Sequence, residues 1–147
     1  MNENITIKDV PKERMLCLSG KDFSETKALE IINQEIIWLA QKGIGIADLP
    51  LAIVNEDKTF DVCAPIKEEK IKEEGDYKIK ILPSHRIATI LHNEPDKPLS
   101  FAQEFLERRL KYDGFTLLKP YRYIFRQNPQ NPEKPFVEIQ IPVHKQS

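Results

Sequence analysis

The sequence predicts an α+β fold built from two copies of a β-β-α-β-β unit. Two segments, VEIQIPV at residues 137–143 and FDVCAPI at residues 60–66, alternate apolar with polar side chains. Such alternation is typical of a strand with one apolar face. Two longer stretches instead repeat apolar residues at helical spacing. The elements follow one another in the same order twice, which indicates an internal duplication.

The duplication is visible in three pairs of matching residues. An arginine begins a strand-like segment ahead of each helical stretch, a glycine ends that stretch, and a proline opens the next strand-like segment. A nearly constant separation is typical of a tandem repeat. We therefore predict one domain over residues 1–147, with repeats at about residues 4–66 and 77–143. The pairs are Arg14 and Arg86, 72 residues apart, Gly43 and Gly114, 71 apart, and Pro50 and Pro120, 70 apart.

The first repeat contains four predicted strands and one predicted helix. Ser24 is a favourable N-cap, Glu25 follows at the positive end of the helix, and Gly43 supplies the stop. The segment Pro-Lys-Glu at residues 11–13 predicts a tight turn between the first two strands. The core-facing stripe of the helix is Leu29, Ile32, Ile36 and Leu39, and the strands are predicted at residues 5–7, 14–19, 50–54 and 60–66.

The second repeat follows the same plan. Its helix is predicted to begin at Asp96 or Lys97, with Pro98 in the first turn, where a missing backbone donor costs little. Phe105 lies beside the main apolar stripe of this helix. The stripe is Leu99, Ala102, Leu106 and Leu110, and the strands are predicted at residues 77–82, 86–92, 121–126 and 136–143.

Two such repeats are expected to share one sheet. One helix on a short antiparallel sheet buries little apolar surface by itself, so we predict a curved antiparallel sheet with both helices on one face. The segments at residues 60–66 and 137–143 are expected to lie side by side. The opposite face would curve around a pseudo-two-fold axis, where a cleft between the repeats would hold a ligand.

Composition excludes several classes of protein. The chain has 22 basic and 23 acidic residues, so no basic excess indicates nucleic-acid binding. The N-terminus lacks the layout of a signal peptide, and no apolar run approaches the ~20 residues of a membrane span. Cys17 and Cys63 stand in apolar segments without C-x-x-C spacing, which favours free thiols in a reducing cytoplasm. The three histidines form no i,i+4 pair, so we expect neither a metal site nor a cofactor.

The strand faces that turn away from the core supply a candidate ligand site. Aromatic walls beside one or two carboxylates suit a flat or cationic ligand, through stacking, cation–π attraction and an ion pair. Burial in such a box should raise the pKa of Glu138, the principal acid. Ordinary sheet packing is the alternative explanation for the aromatic row, and a core position is the alternative for Trp38. The candidates are Glu138, Gln140, Tyr121, Tyr123, Phe125, Leu51, Ile53, Asp61, Cys63 and Trp38.

Several segments, in their order and spacing, resemble the GyrI-like (gyrase-inhibitor-like) family. That family includes the effector-binding domains of AraC-type and MerR-type multidrug-sensing regulators. The resemblance implies a bacterial protein with the same duplicated fold and a small-molecule pocket at the junction of the halves. The matching pieces are residues 5–19, 60–66, the segment LPSHRIA at 82–88 with His92, residues 120–125, and residues 137–143.

The chain departs from this family at two positions. Many members read Arg-Glu-x-Tyr where this chain reads Arg122-Tyr123-Ile124-Phe125, so a tyrosine replaces the acid that meets cationic ligands. In the stretch that begins at His92, Glu94 replaces the glycine of the pattern His-x-Gly-Pro. The first departure bears on cation binding and the second on the loop at the rim of the pocket.

Three functions are compatible with these observations. The leading one is a standalone cytoplasmic protein that binds hydrophobic or aromatic, including cationic, small molecules. The resemblance also implies a hydrolase of strained cyclopropane-containing compounds, with Glu138 as general base and the hydroxyl of Tyr123 as acid. It implies, third, a protein-interaction module like the gyrase inhibitors. The first leads because the chemistry of a pocket is present, whereas a complete catalytic constellation is not.

Overall fold

A computed structural model describes residues 4–67, 71–94 and 96–145. The protein is α+β, as predicted, with antiparallel strand pairs and two helices among these residues. Neither helix in the described ranges combines the length and apolar composition needed to cross a membrane. The elements are β1 (Thr6–Val10), β2 (Glu13–Gly20), α1 (Glu25–Gln41), β3 (Leu51–Val54), β4 (Phe60–Pro65), β5 (Lys78–Leu82), β6 (His85–His92), α2 (Leu99–Tyr112), β7 (Phe115–Leu117), β8 (Tyr121–Arg126) and β9 (Phe136–Lys145).

The chain forms two compact units. The central unit is Pro11–Ser84, in which the strands are ordered β3-β4-β2-β5 and α1 packs on β2 and β4. The terminal unit joins Met1–Val10 to His85–Ser147, with the order β1-β6-β9-β8, β7 paired with β9, and α2 packed on β6, β7 and β9.

The first strand of each predicted repeat pairs outside that repeat. β1 pairs with β6 and β5 pairs with β2, so the tight turn expected between β1 and β2 does not form a hairpin. The connections contain Pro11 and Pro83, and proline fixes φ near −65°. Two-residue hairpin turns need positive φ at one or both central residues, which proline cannot supply. The chain therefore leaves β1 and β5 without pairing either of them with the strand that follows it.

The expected pairing of the two similar strands is wrong. β4 lies between β3 and β2, and β9 lies between β6 and β8. Each strand is thus enclosed by neighbours of its own unit, and its hydrogen-bonding groups on both sides are used there.

The helix of the central unit begins as predicted but buries a different stripe. The side chain of Ser24 accepts a hydrogen bond of 3.1 Å from the backbone N–H of Lys27, which makes it the N-cap. Of the expected stripe, Ile36 is 41% exposed and Leu29 is half-buried. The neighbouring isoleucines make the apolar arc of this helix wide, so periodicity alone did not fix its rotation. The buried positions are Ala28, Ile32, Glu35 and Leu39.

The helix of the terminal unit packs largely as expected. It starts at Leu99 with Pro98 as N-cap, two or three positions after the predicted start. Ala102, Leu106 and Leu110 are buried. β7, which sequence analysis missed, runs for three residues and pairs Leu117 with Val143 of β9.

Candidate functional site

A row of buried polar side chains crosses the sheet of the terminal unit. Glu138 of β9 stands opposite Leu91, and its neighbour Gln140 stands opposite both Thr89 and Arg122. Residues opposite each other in an antiparallel pair project to the same face. Glu138 is 7% exposed and Gln140 3%. The prediction that these two side chains share the face away from the apolar residues of β9 is confirmed.

Glu138 is held by three polar partners. Arg126 donates to its Oε1 from Nη2 at 2.6 Å and from Nε at 2.8 Å. Gln140 donates from Nε2 to its Oε2 at 2.6 Å, and Lys8 Nζ lies 3.7 Å from the same oxygen. The carboxylate is therefore already neutralised by cations of its own unit.

These partners lower the pKa of Glu138. Burial is the largest single influence and raises the pKa, but the hydrogen bonds from Gln140 and Arg126 and the charges of Lys8 and Arg126 together outweigh it. The expectation that an apolar box raises this pKa is wrong, because the box is polar. A lowered pKa also weakens Glu138 as a general base.

The aromatic row of β8 lies on the other face of the sheet. Tyr123 stands opposite Ile139 and Phe125 opposite Val137, so these rings share the face of the apolar residues of β9. Their placement beside Glu138 is wrong, because alternation defines two faces of a strand without saying which one meets the core. The proposed acid–base pair of Tyr123 with Glu138 is therefore not formed.

The tyrosine hydroxyls of β8 bind α2. Tyr121 donates to Glu107 Oε2 at 2.7 Å, and Tyr123 donates to Gln103 Oε1 at 2.5 Å. Burial raises the pKa of Tyr123 to about 12. Burial also raises the pKa of Tyr121, with a further contribution from its hydrogen bond to Glu107. Both hydroxyls therefore form hydrogen bonds that join β8 to α2.

The candidate residues of the central unit share one face, as predicted. Leu51 stands opposite Cys63, and Ile53 stands opposite Asp61. Asp61 accepts hydrogen bonds from Ser19 Oγ at 2.5 Å and from Lys80 Nζ at 3.0 Å. Like Glu138, this acid is paired within its own unit.

Cys17 and Cys63 are buried free thiols, directly opposite each other on β2 and β4. Their sulfur atoms are 2.7 Å apart. The hydrogen bond with Cys17 and burial raise the pKa of Cys63 well above its ordinary value. A protonated thiol is a poor nucleophile, so the environment does not favour covalent catalysis by Cys63.

Glu35 is a buried polar residue that the sequence did not identify as a candidate. Its side chain on α1 is 0% exposed, and neither carboxyl oxygen has a hydrogen-bond partner among the described residues. Burial raises the pKa of Glu35 to about 10. A signal existed in the sequence, because Glu35 lies three residues after Ile32 and four before Leu39 on one helix face.

An aromatic pair lies one helical turn from Glu35. The rings of Trp38 and Tyr77 are stacked, with centroids 4.5 Å apart and an interplanar angle of 17°. Lys42 Nζ lies 4.7 Å from the centroid of the Trp38 ring and 2.9 Å from Glu74 Oε2. Burial, and then the charge of Glu35, raise the pKa of Tyr77, which places this hydroxyl within electrostatic reach of Glu35.

A cavity of about 690 Å³ opens at the end of α1. Two of its lining residues, Ile44 and Ile71, pack in the same apolar cluster as Trp38 and Tyr77. The cavity and the aromatic pair thus adjoin within the central unit. The lining residues are Lys42, Gly43, Ile44, Ile71, Lys72, Glu73 and Glu74.

No protein-family model and no curated protein matches this sequence. Its fold, however, is similar to that of the EcmrR C-terminal domain, with a TM-score of 0.80 and 18% identity over 97% of this chain and 98% of that one. A hydrolase from Listeria innocua has a TM-score of 0.65 at 14% identity, over 97% of this chain and 93% of that one. SAV2435 bound to tetraphenylphosphonium has a TM-score of 0.55 at 15% identity, over 96% and 94% of the two chains. At these identities the likeness establishes the fold.

Proposed function

We propose that this chain is a small-molecule-binding protein of the GyrI-like effector-binding type, which takes hydrophobic aromatic compounds. The chain shares its fold over nearly its whole length with SAV2435, which was solved with an aromatic cation bound. That likeness supports the class of function, while the binding site has to be argued from the residues of this chain.

The observation that carries the proposal is the cavity of about 690 Å³ beside the Trp38–Tyr77 pair. Pockets for small molecules have volumes of roughly 300–1,000 Å³ and apolar or aromatic walls with a few polar groups. Here Ile44 and Ile71 supply apolar wall, and the stacked rings lie in the adjoining cluster. Glu35 is a buried polar group one helical turn from Trp38. Of the candidates taken from the sequence, we assign only Trp38 to this site, because it packs in the cluster that adjoins the cavity.

The first experiment is a thermal-shift and dye-displacement screen with neutral and cationic polyaromatic compounds. We expect micromolar binders, which corresponds to roughly −8 kcal/mol. Native mass spectrometry of freshly purified protein would reveal a compound that co-purifies. A screen in which no polyaromatic compound binds would contradict the proposal.

The location is tested by Trp38→Leu, which removes the stacking surface but keeps an apolar side chain. We expect the best binder of the screen to lose about tenfold in affinity. Phe101→Leu is the matched control, because Phe101 is an aromatic residue of α2 with a lysine, Lys97, 4.8 Å from its ring centroid. Equal affinity in both variants would place the ligand elsewhere.

A further inference from the structure

Glu35 is a buried group whose hydrogen-bonding capacity is unused. Most buried polar side-chain atoms in proteins have a partner, and leaving one without a partner costs about 1–3 kcal/mol. Glu138, the other buried glutamate, has Arg126, Gln140 and Lys8 around it. Glu35 has no such partner for either oxygen among the described residues. An acid in this state on a core-facing helix position has both oxygens available to a group that is not part of the protein.

The charge state of Glu35 restricts what that partner is. Three titratable groups among the described residues have charges that interact with it, namely Cys17 on β2, Cys63 on β4 and Tyr77. All three are acids, so none of them offers a positive charge. Because burial raises the pKa of Glu35 to about 10, the carboxyl is uncharged at neutral pH. A neutral carboxyl presents an O–H donor beside a C=O acceptor, and this pair matches the N–H and C=O of an amide or lactam.

The position of Glu35 restricts the shape of the partner. Trp38 lies one turn along the same helix, and residues three apart are neighbours on a helix surface. The half-buried Tyr77 ring lies nearly parallel to the Trp38 ring, and this geometry is that of a flat group stacked on indole. Ile44 and Ile71 connect this cluster with the cavity, from which a ligand could approach.

We propose that Glu35, as the neutral acid, binds the amide edge of a flat, uncharged ligand whose rings take the place of Tyr77 against Trp38. This inference rests on the proposed small-molecule function and adds the ligand class: aromatic lactams or amides in preference to cations. A cation at this position would require Glu35 to ionise. Ionisation is unfavourable at pH 7, because burial raises the pKa of Glu35 to about 10.

The test uses three planar probes of the same size with the full chain. Phenanthridin-6(5H)-one offers both N–H and C=O, its N-methyl derivative lacks the N–H donor, and 5-methylphenanthridinium carries a fixed positive charge. We expect wild type at pH 7 to bind the lactam about tenfold or more tightly than either of the others. Lactam affinity should stay level from pH 6 to 9, whereas cation affinity should rise with pH.

Two variants separate the hydrogen bond from packing. Glu35→Gln keeps one donor and one acceptor of similar shape, and should retain the preference for the lactam. Glu35→Met keeps the volume without those groups, and should bind all three probes with affinities within about threefold of one another. A purely structural role of Glu35 would not change the order of the probes.

Four results would overturn the inference. One is tighter binding of the cation than of the lactam at pH 7, and another is an unchanged lactam preference in Glu35→Met. If the probes bind equally well and lose affinity only in Trp38→Leu, the small-molecule function stands and the role of Glu35 is wrong. If none of the three binds, the Glu35 site is also wrong, and the broad screen decides separately on the function.

Discussion

Two buried glutamates of this chain titrate in opposite directions because their surroundings differ. Glu35 has no hydrogen-bond partner in the part of the chain that the structure describes, and burial, with a smaller contribution from Cys17, raises its pKa to about 10. Glu138 has two cations and an amide around it, and its pKa is lowered despite burial. The same side chain therefore contributes a cost to folding in one unit and a gain in the other.

Glu35→Gln should stabilise the protein above acidic pH. The unfolded chain ionises Glu35 above its ordinary pKa of 4.5, while the folded chain keeps the proton up to about pH 10, so wild-type stability falls as pH rises between these values. We expect the variant to be more stable by about 1–3 kcal/mol at pH 8 and equal to wild type near pH 4.5. Urea unfolding at both pH values measures the difference, and a variant less stable than wild type at pH 8 would contradict it.

Glu138→Gln should have the opposite effect. A carboxyl with a lowered folded pKa stabilises the protein above its unfolded pKa of 4.5, and this stabilisation is lost as pH falls through the folded value. Arg126 and Lys8 are 41% and 45% exposed, so solvent screens part of the interaction. We expect a loss of about 1–2 kcal/mol at pH 7 that shrinks as pH falls below 4.5. A loss that does not change with pH would indicate packing instead of charge.

For single residues, the sequence predicted which face of a strand a side chain occupies. It did not predict which groups surround that side chain. Alternation correctly separated Glu138 and Gln140 from the apolar side of β9. It could not show that Arg126 and Lys8 lie close to Glu138, because that depends on strand register. Glu35 was not among the candidate residues, because a charged residue type is rarely fully buried.

The contact between α1 and its sheet depends on one glycine. A Cβ built on Gly20 at the end of β2 would lie 2.5 Å from Cζ of Phe60 and 3.2 Å from a methyl of Ile31. Phe60 is 1% exposed and meets Phe23 edge to face, with centroids 5.3 Å apart. Because Gly20 has no side chain, the buried Phe60 ring can lie against its backbone.

Gly20→Ala should therefore destabilise the protein by about 1–3 kcal/mol, because the ring has no open side to move toward. Gly45→Ala is the matched control, since nothing lies within 4 Å of a Cβ at that position. Thermal or urea unfolding compares the two variants. A loss of stability of the same size at both positions would mean that backbone freedom, and not the Phe60 ring, explains the effect.

Elements were predictable where a local chemical signal existed. Ser24 and the apolar residues of α2 marked helices whose caps and buried faces the structure contains. β7 was too short for its three residues to show a period. The expected hairpin between β1 and β2 does not form, because Pro11 in the connection cannot adopt the positive φ of a tight hairpin turn.

At the scale of the whole molecule, the exchange of first strands produces matching ion pairs. Lys8 of β1 lies 3.7 Å from Glu138 in the terminal unit, and Lys80 of β5 lies 3.0 Å from Asp61 in the central unit. The two lysines occupy corresponding positions of the repeats, 72 residues apart, as do Arg14 and Arg86. Each repeat therefore gives one strand and one cation to the acid of the other.

Fragments should follow the structural units and not the repeats. A fragment of residues 11–84 contains every strand partner found in the central unit, whereas residues 4–66 lack β5 and retain β1 without β6. We expect a cooperative urea transition with helical circular dichroism for the first fragment, of a few kcal/mol at most at this size. The second should show no cooperative transition. The reverse result would mean that the repeats are the folding units.

The sequence predicted the two repeats, but it did not predict which strands of one repeat pair with strands of the other. Offsets between residues such as Gly43 and Gly114 record duplication along the chain, and the α+β class follows from the order of the elements. Which strand of one repeat pairs with which strand of the other depends on long-range contacts. No periodicity within a single segment contains that information. The expected single domain, the ligand cleft between the repeats and the common side for the two helices stay predictions.

The terminal unit is built from two separate segments of the chain, and this determines the order in which its strands can pair during synthesis. The central unit is contiguous, so all its strands have been synthesised once the chain reaches Ser84. β1 has been made long before, yet its partner β6 starts only at His85. At about 5–20 residues per second, β1 waits roughly 4–15 seconds without its neighbour. During this interval the nascent chain carries an unpaired strand that is open to chaperones and to neighbouring chains on the same messenger RNA.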